Sequence, residues 1–297
     1  MNSADRYSRT VIVGGRGMLA TAIARQLSAR GTSFVSLDRQ QCDITNANAV
    51  ADLFATHRPT LLINCAAHAK VDLCEQEPEK ADAINGHAVG LLAQNAVQIG
   101  AKLVHFSTDF VFDGNGVLPY RPTDSTNPLS AYGRSKLLGE QQIQQINPSG
   151  WLILRTAWLY GEDGPCFPRT ILAAAHAGKP LKVVNDQIGS PTYTADLAAA
   201  TLELIDRQAA GLFHAVNQGT ASWYEFTRAI LDEFNLLADL TPQSSAEWKK
   251  TKPTAAHRPA YSVLDTSTLD STLGHPMRPW RQALCDYHQA CASESRA

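Results

Sequence analysis

Tyr132 and Lys136, in the run Ser130-Ala-Tyr-Gly-Arg-Ser-Lys136, have the spacing that places two side chains on one face of a helix. A phenol titrates near ~10 in model peptides, too high for proton transfer at neutral pH. An ammonium one turn away favours the phenolate, so Lys136 is expected to draw Tyr132 toward the working range. Such a pair can hand a proton to a carbonyl oxygen while a hydride arrives at its carbon. Thr108, in Ser107-Thr-Asp-Phe-Val-Phe-Asp-Gly114, offers a hydroxyl that can polarise the same carbonyl or cap a turn. Asp109 beside it can orient a substrate hydroxyl or cap the following turn. Tyr and Lys are common on helix surfaces, so the elements around them decide whether the spacing means chemistry.

Thr10-Val-Ile-Val13 has the β-branched composition of a buried strand. Gly14-Gly-Arg-Gly-Met-Leu-Ala20 follows, then an amphipathic helix pattern over 21–27. Gly14 permits a tight turn, Gly17 lets backbone approach a pyrophosphate at the helix N-terminus, and Ala20 allows close helix–strand packing. Strand before and helix after make this a dinucleotide-binding turn. A second strand over 33–37 ends at Asp38, where a carboxylate can bond the adenine ribose hydroxyls. Arg39 is adjacent, and a guanidinium there can receive the 2′-phosphate of NADP. The two residues therefore argue for NAD and NADP at once. Asp43 can lie beside the adenine or in a helix N-terminal cap region. A third strand, 60–64, runs into Cys65-Ala66-Ala67-His68; the small residues let a dinucleotide lie against the strand end, and His68 is a candidate neighbour of it. A helix carrying Ala83 to Ala93 precedes a fourth strand, 102–106, that ends at Ser107-Thr108.

Strands joined by helix-length connections predict an α/β fold with a doubly wound parallel sheet, whose ligands lie beyond the carboxyl ends of the strands. The glycine turn, Asp38, Ala66–Ala67 and Ser107–Thr108 all fall at such ends. The later part of the chain reads as an interleaved lobe. Asn185-Asp-Gln-Ile-Gly-Ser-Pro-Thr192 is turn chemistry leading to a helix at 195–205, 211–216 reads as a strand, and Ser222-Trp-Tyr-Glu225 is a capping box.

With 297 residues and a net charge of −2, the chain has the size for a dinucleotide domain plus a smaller lobe and no charge signature of nucleic-acid or membrane-surface binding. Residues 1–9 form a polar leader without the apolar core of a signal peptide, and the apolar runs are strand-sized. The 6 cysteines show no metal-like spacing and are expected to be reduced, which points to the cytoplasm. No metal site is read from the sequence.

The set GxxGxxA, NCAAH, STDFVFDG, YGRSK, RTAWLYG, NDQIGSPT and RPAYSVLD resembles the dTDP-4-dehydrorhamnose reductases, extended short-chain dehydrogenases/reductases, in register from about residue 10 to about 290. The resemblance implies a Rossmann NAD(P)-binding domain mainly over 10–165 and a substrate-binding lobe mainly over 166–297. It implies NADPH- or NADH-dependent reduction of the C4 keto group of a dTDP-activated 6-deoxysugar, giving dTDP-L-rhamnose for polysaccharide synthesis. Residue by residue, Tyr132 is then the proton donor, Lys136 binds ribose and tunes Tyr132, and Thr108 stands beside the keto group with Asp109 near the sugar. Gly17, Met18 and Leu19 lie under the pyrophosphate, while Asp38, Asp43, Ile44, Ala66, Ala67 and His68 line the cofactor. Trp158 packs on the deoxysugar, its indole offering a flat face to C–H groups. Arg258 approaches the nucleotide's phosphates or makes a structural salt bridge.

The sequence departs from this pattern at Phe110, where many relatives carry tyrosine, and between Phe234 and Lys252, which is polar and poorly matched. Some relatives dimerise through a magnesium-linked acidic surface; this chain has no clear counterpart, which leaves a homodimer open and gives Mg2+ no support. Two rival readings are a reductase of another nucleotide 4-ketosugar and a non-catalytic NADP-binding regulatory subunit.

Overall fold

The computed structural model describes residues 7–148 and 150–294; residues 1–6 of the polar leader lie outside it. Six short strands form the central sheet: β1 (Thr10–Val13), β2 (Phe34–Leu37), β3 (Leu61–Asn64), β4 (Lys102–Thr108), β5 (Leu152–Thr156) and β6 (Gly211–His214). Their order is β2-β1-β3-β4-β5-β6, and every pairing is parallel. β1, β3, β4 and β5 are buried at every residue, as continuous apolar runs in a sheet covered on both faces must be.

Five helices supply the two covers: α1 (Met18–Ala29), α2 (Ala47–His57), α3 (Ala88–Ile99), α4 (Ala131–Ile146) and α5 (Thr194–Asp206). Leu19, Ile23 and Leu27 of α1 join Leu197, Leu204 and Ile205 of α5 in one apolar cluster with Ile12, Ile63 and Leu154. Leu53 and Phe54 of α2 join Val89, Leu92 and Ala96 of α3 in the other, with Val11, Leu62 and Ile153. Successive strand residues thus feed opposite faces. The strand order reverses at β1, the point in such a sheet where ligands lie beyond the carboxyl ends of the strands.

Three details differ from the sequence expectation. Helix α1 starts at Met18 instead of Thr21, because Gly17 is extended and ends the turn directly. The helix expected from Ala83 is interrupted, with Ala83–His87 forming a wide π-type turn before α3. That turn aims Asn85 inward, where Nδ2 donates to Ser135 Oγ and His68 O, and Oδ1 accepts the His68 N–H. The strand read over 211–216 stops at His214 and completes the main sheet beside β5.

A second apolar centre forms around Tyr160, Ile171, Phe226, Trp280 and Tyr287. It is enclosed by helices Phe167–His176, α6 (Trp223–Glu233) and Trp280–Glu294. The capping box of Ser222 and Glu225 starts α6 as expected. The unmatched segment after Phe234 holds a strand, Leu240–Gln243, paired with Leu181–Val184, and a helix Ser245–Thr251 with its own capping box.

Helix α4 carries Tyr132 and Lys136, and its placement is tightly specified. Ser130 caps it by accepting from the Gly133 N–H, and the Ala131 N–H donates to Glu75. A Cβ at Gly139 would stand 2.3 Å from Asn85 O, so glycine is what lets α4 close on the π-turn. One turn beyond Lys136, Glu140 accepts from Arg155 of β5 through both oxygens at 2.9 and 2.7 Å, with both side chains buried. Removing one partner of such a pair strands a buried charge, at a cost of about 3–5 kcal/mol. Glu140→Ala should therefore lower the urea midpoint by that equivalent, and an unchanged midpoint would show that α4 is not anchored here.

Candidate active site

The glycine turn behaves as its composition demands. Gly14 has φ +79°, and a Cβ there would stand 2.5 Å from Ala66 N, so the β1 and β3 loops touch backbone to backbone. A cavity of about 960 Å³ opens over this contact, lined by Gly14, Gly17, Asp38, Arg39, Asp43, Ile44, Ala66, Ala67 and His68. Most of the expected cofactor residues are therefore gathered in one place. Met18 and Leu19 line instead an adjoining chamber of about 630 Å³. The two spaces share Gly17, Cys65, Ala66 and Ala67, so one cleft runs from Asp38 to Tyr132.

At the outer end, Asp38 is fully engaged. Its Oδ1 accepts the N–H groups of Gln40 and Gln41, and its Oδ2 pairs with Arg16 Nε at 2.7 Å. Arg16, unnoticed in the sequence because it stands inside the glycine turn, and Arg39 both line the mouth of the cavity and are largely exposed. Asp43 accepts from the Thr45 N–H and hydroxyl, which hold its carboxyl below the usual range; Asn46 is the actual cap of α2. His68 is buried, tied by its backbone to Asn85, with Nε2 3.5 Å from Glu77.

The inner chamber brings together Thr108, Asp109, Tyr132, Lys136, Trp158 and Arg258. Thr108 Oγ1 donates to Asp109 Oδ1 at 3.0 Å and accepts the Phe110 N–H, so it is both a turn cap and a wall of the chamber. Burial raises the Asp109 carboxyl to about 6, against hydrogen bonds from Ser262 and Thr108. Burial also pushes the Tyr132 phenol well above its ordinary value, while a hydrogen bond with Thr108 works the other way. Desolvation is the largest influence on this phenol. Lys136 itself is lowered by burial to about 8, opposed by Glu140 and Cys65, and its Nζ lies 3.2 Å from His105 Nε2. Phe110 packs edge-on against Tyr132 at 5.6 Å between centroids.

Trp158 follows β5 with φ +48°, a conformation that turns its ring onto Gly189. The ring is stacked on Trp223 at 3.5 Å and 6°. Trp223 is the chief residue that sequence reasoning missed; as the first residue of α6 it read only as part of a capping box. Beyond Trp223, Phe167 and Arg258, a further groove of about 490 Å³ is lined by Asp72, Gln187, Trp248 and Lys252. Arg258 pairs with Asp72 at 2.9 Å and lies over the Trp248 ring at 4.6 Å, so the salt-bridge reading of Arg258 holds while its guanidinium still borders both spaces.

The arrangement fits a dinucleotide and a second polar ligand. Gly14 leaves backbone exposed at the carboxyl ends of β1 and β3, Gly17 opens α1, and cations stand where a ribose phosphate would end. Ser107 and Thr156 also line the chamber, and their buried hydroxyls have no hydrogen-bond partner among the described residues. Among the described residues, no group of three or more His, Cys, Asp or Glu is placed to hold a metal ion. No described helix is long and apolar enough to cross a membrane.

Comparison with known proteins agrees with this geometry. A dTDP-4-dehydrorhamnose reductase from Clostridium acetobutylicum superposes with a TM-score of 0.91 at 40% identity, covering 95% of this chain and 99% of that one. The Bacillus anthracis dTDP-4-dehydrorhamnose reductase, solved in complex with NADP, gives 0.90 at 34% identity with the same coverage. The spore coat polysaccharide biosynthesis protein SpsK of Bacillus subtilis is 38% identical over 286 residues, 96% of this chain and 99% of its own. The family model of the RmlD substrate binding domain matches residues 8–293, and the chain belongs to that family.

Proposed function

We propose that this protein reduces the C4 keto group of dTDP-4-dehydro-β-L-rhamnose to give dTDP-L-rhamnose, with NADPH as the preferred reductant. The observation that carries the reading is the chamber in which Thr108, Tyr132 and Lys136 meet, open on one side to the dinucleotide cleft and on the other to the Arg258 groove. A reduced nicotinamide supplies the hydride when bound. Tyr132, a phenol held protonated by burial, gives its proton to the oxygen that becomes the alcohol. Thr108 hydrogen-bonds the same oxygen as charge develops, and Lys136 holds the ribose hydroxyls. The lobe built mainly from residue 166 onward receives the sugar nucleotide. Trp158, braced by Trp223, faces the deoxysugar, and Arg258 and Lys252 supply positive charge for the diphosphate. Gly17 and the first turn of α1 take the cofactor's pyrophosphate.

The preference for NADPH follows from Asp38. With Oδ1 on two backbone donors and Oδ2 on Arg16, this carboxylate is neutralised toward a 2′-phosphate and has little capacity left for ribose hydroxyls. Arg16, paired with Asp38, and Arg39, 3.4 Å from Asp43, present exposed guanidiniums at the mouth.

Supplying the purified protein with the 4-keto sugar nucleotide, made in situ, should oxidise NADPH faster than NADH and yield dTDP-L-rhamnose. Bound NADPH without oxidation would remove the reductase reading for this sugar and leave another ketosugar or a regulatory role. Tyr132→Phe should bind NADPH nearly as well as the parent while kcat falls by about 10²–10⁴-fold; comparable turnover would sink its role as acid. Hydrogen bonds to charged groups contribute about 1.5–3 kcal/mol. Arg16→Ala should therefore shift the NADPH:NADH ratio of kcat/KM toward NADH by about tenfold or more. An unchanged ratio would place the phosphate elsewhere.

A further inference from the structure

Behind Lys136 lies a buried chain of polar groups that the proposed reaction has not used. Asn64 ends β3, His105 stands opposite it in register on β4, and Lys136 reaches His105 from α4. Their exposures are 1%, 0% and 2%. Asn64 Oδ1 accepts the Ala66 N–H at 3.0 Å, which fixes the amide's orientation. The group 3.1 Å from His105 Nδ1 is therefore the amide nitrogen Nδ2, which has only protons to offer. His105 Nδ1 must answer with its lone pair. Burial, the larger cause, keeps this imidazole neutral, so its single proton is on Nε2. That N–H points at Lys136 Nζ, 3.2 Å away. An N–H facing an ammonium is a clash of donors, whereas an N–H facing an amine lone pair is a hydrogen bond.

We propose that His105 is a positioning residue, its tautomer locked by Asn64, that favours the neutral amine of Lys136 in the cofactor-free site. The proposal rests on Lys136 being the residue that meets the cofactor ribose. To become an ammonium, Nζ must leave His105 for the ribose hydroxyls and take a proton from solvent, so cofactor binding and lysine protonation are linked. The other groups facing Lys136 do not compete for this role. Cys65, at the end of β3, is kept a thiol by burial, Tyr132 on its own helix is a protonated phenol, and Glu140, one turn on, is committed to Arg155. The lowering of Lys136 to about 8 agrees with the geometry.

Above the lysine's titration the free protein must take up a proton to bind, so NADPH affinity should fall as pH rises, by about tenfold per unit. Asn64→Asp keeps an acceptor for the Ala66 N–H and turns its other oxygen toward His105 Nδ1. This moves the ring proton to Nδ1 and leaves Nε2 as an acceptor for an ammonium. Two measurements on the whole protein test the idea: histidine 15N spectra, which report the tautomer of His105, and NADPH binding followed from pH 7 to about 10. The parent should show the Nε2–H tautomer and Asn64→Asp the Nδ1–H tautomer, with the fall in affinity moved up by about one unit. In a His105→Phe background, Asn64→Asp should lose that movement. An Nδ1–H tautomer or an imidazolium at neutral pH in the parent overturns the proposal, even where the variants do not fold. So does a movement that survives His105→Phe, since the introduced carboxylate would then act by charge alone. Neither readout requires turnover, so failure of the ketosugar assignment leaves this test intact.

Discussion

Tyr132 and Lys136 are carried into a dry interior on one turn of α4, and the surrounding structure is arranged around the cost of that burial. Polar groups removed from water need partners, and ionisable ones shift toward their neutral forms. Both effects are visible: the phenol is held protonated and the lysine is lowered. A tyrosine that serves as an acid benefits from the first effect, since it must arrive with its proton. The lysine is drawn the other way, toward its amine, so its surroundings, β3 and β4 included, bear on the site as much as Tyr132 does. The Arg155–Glu140 pair belongs to the same logic. It engages the carboxylate one turn from Lys136, so the lysine is left to His105 and to the cleft.

Much of this was legible in the sequence, for identifiable reasons. Buried parallel strands need uninterrupted apolar runs, so β1, β3 and β4 were read from composition, and the parallel order followed from helix-length connections. Gly14, Gly17, Ala66 and Ala67 stood out because a tight turn and a close approach to a dinucleotide both call for small residues, and at Gly14 the structure adds backbone contact with Ala66. Tyr132 and Lys136 were found because helical spacing is a local property. What stayed hidden depends on contacts between residues far apart in the chain. Arg16 cancels Asp38 across two loops, so a lone acidic residue after β2 argued for NAD when its charge was already paired. His105 and Asn64 read as ordinary strand residues because register between β3 and β4 is not written in either strand alone. The desolvation of Tyr132 stayed hidden for a related reason: spacing reveals proximity along a helix, whereas desolvation depends on everything packed around it.

Trp158 shows how backbone and side-chain constraints combine to shape the substrate side. A left-handed conformation at a bulky residue is costly, and it persists here because Gly189 leaves room for the indole while Trp223 covers its other face. The pair forms a rigid aromatic wall at the boundary where the chamber passes into the Arg258 groove. One face of that wall comes from the end of β5 in the main sheet and the other from α6 in the smaller lobe. The chain also returns to the main sheet after these elements, with β6 pairing beside β5. The hydroxyls of Ser107 and Thr156, from the ends of adjacent strands β4 and β5, stand without hydrogen-bond partners among the described residues on the sheet side of the same chamber.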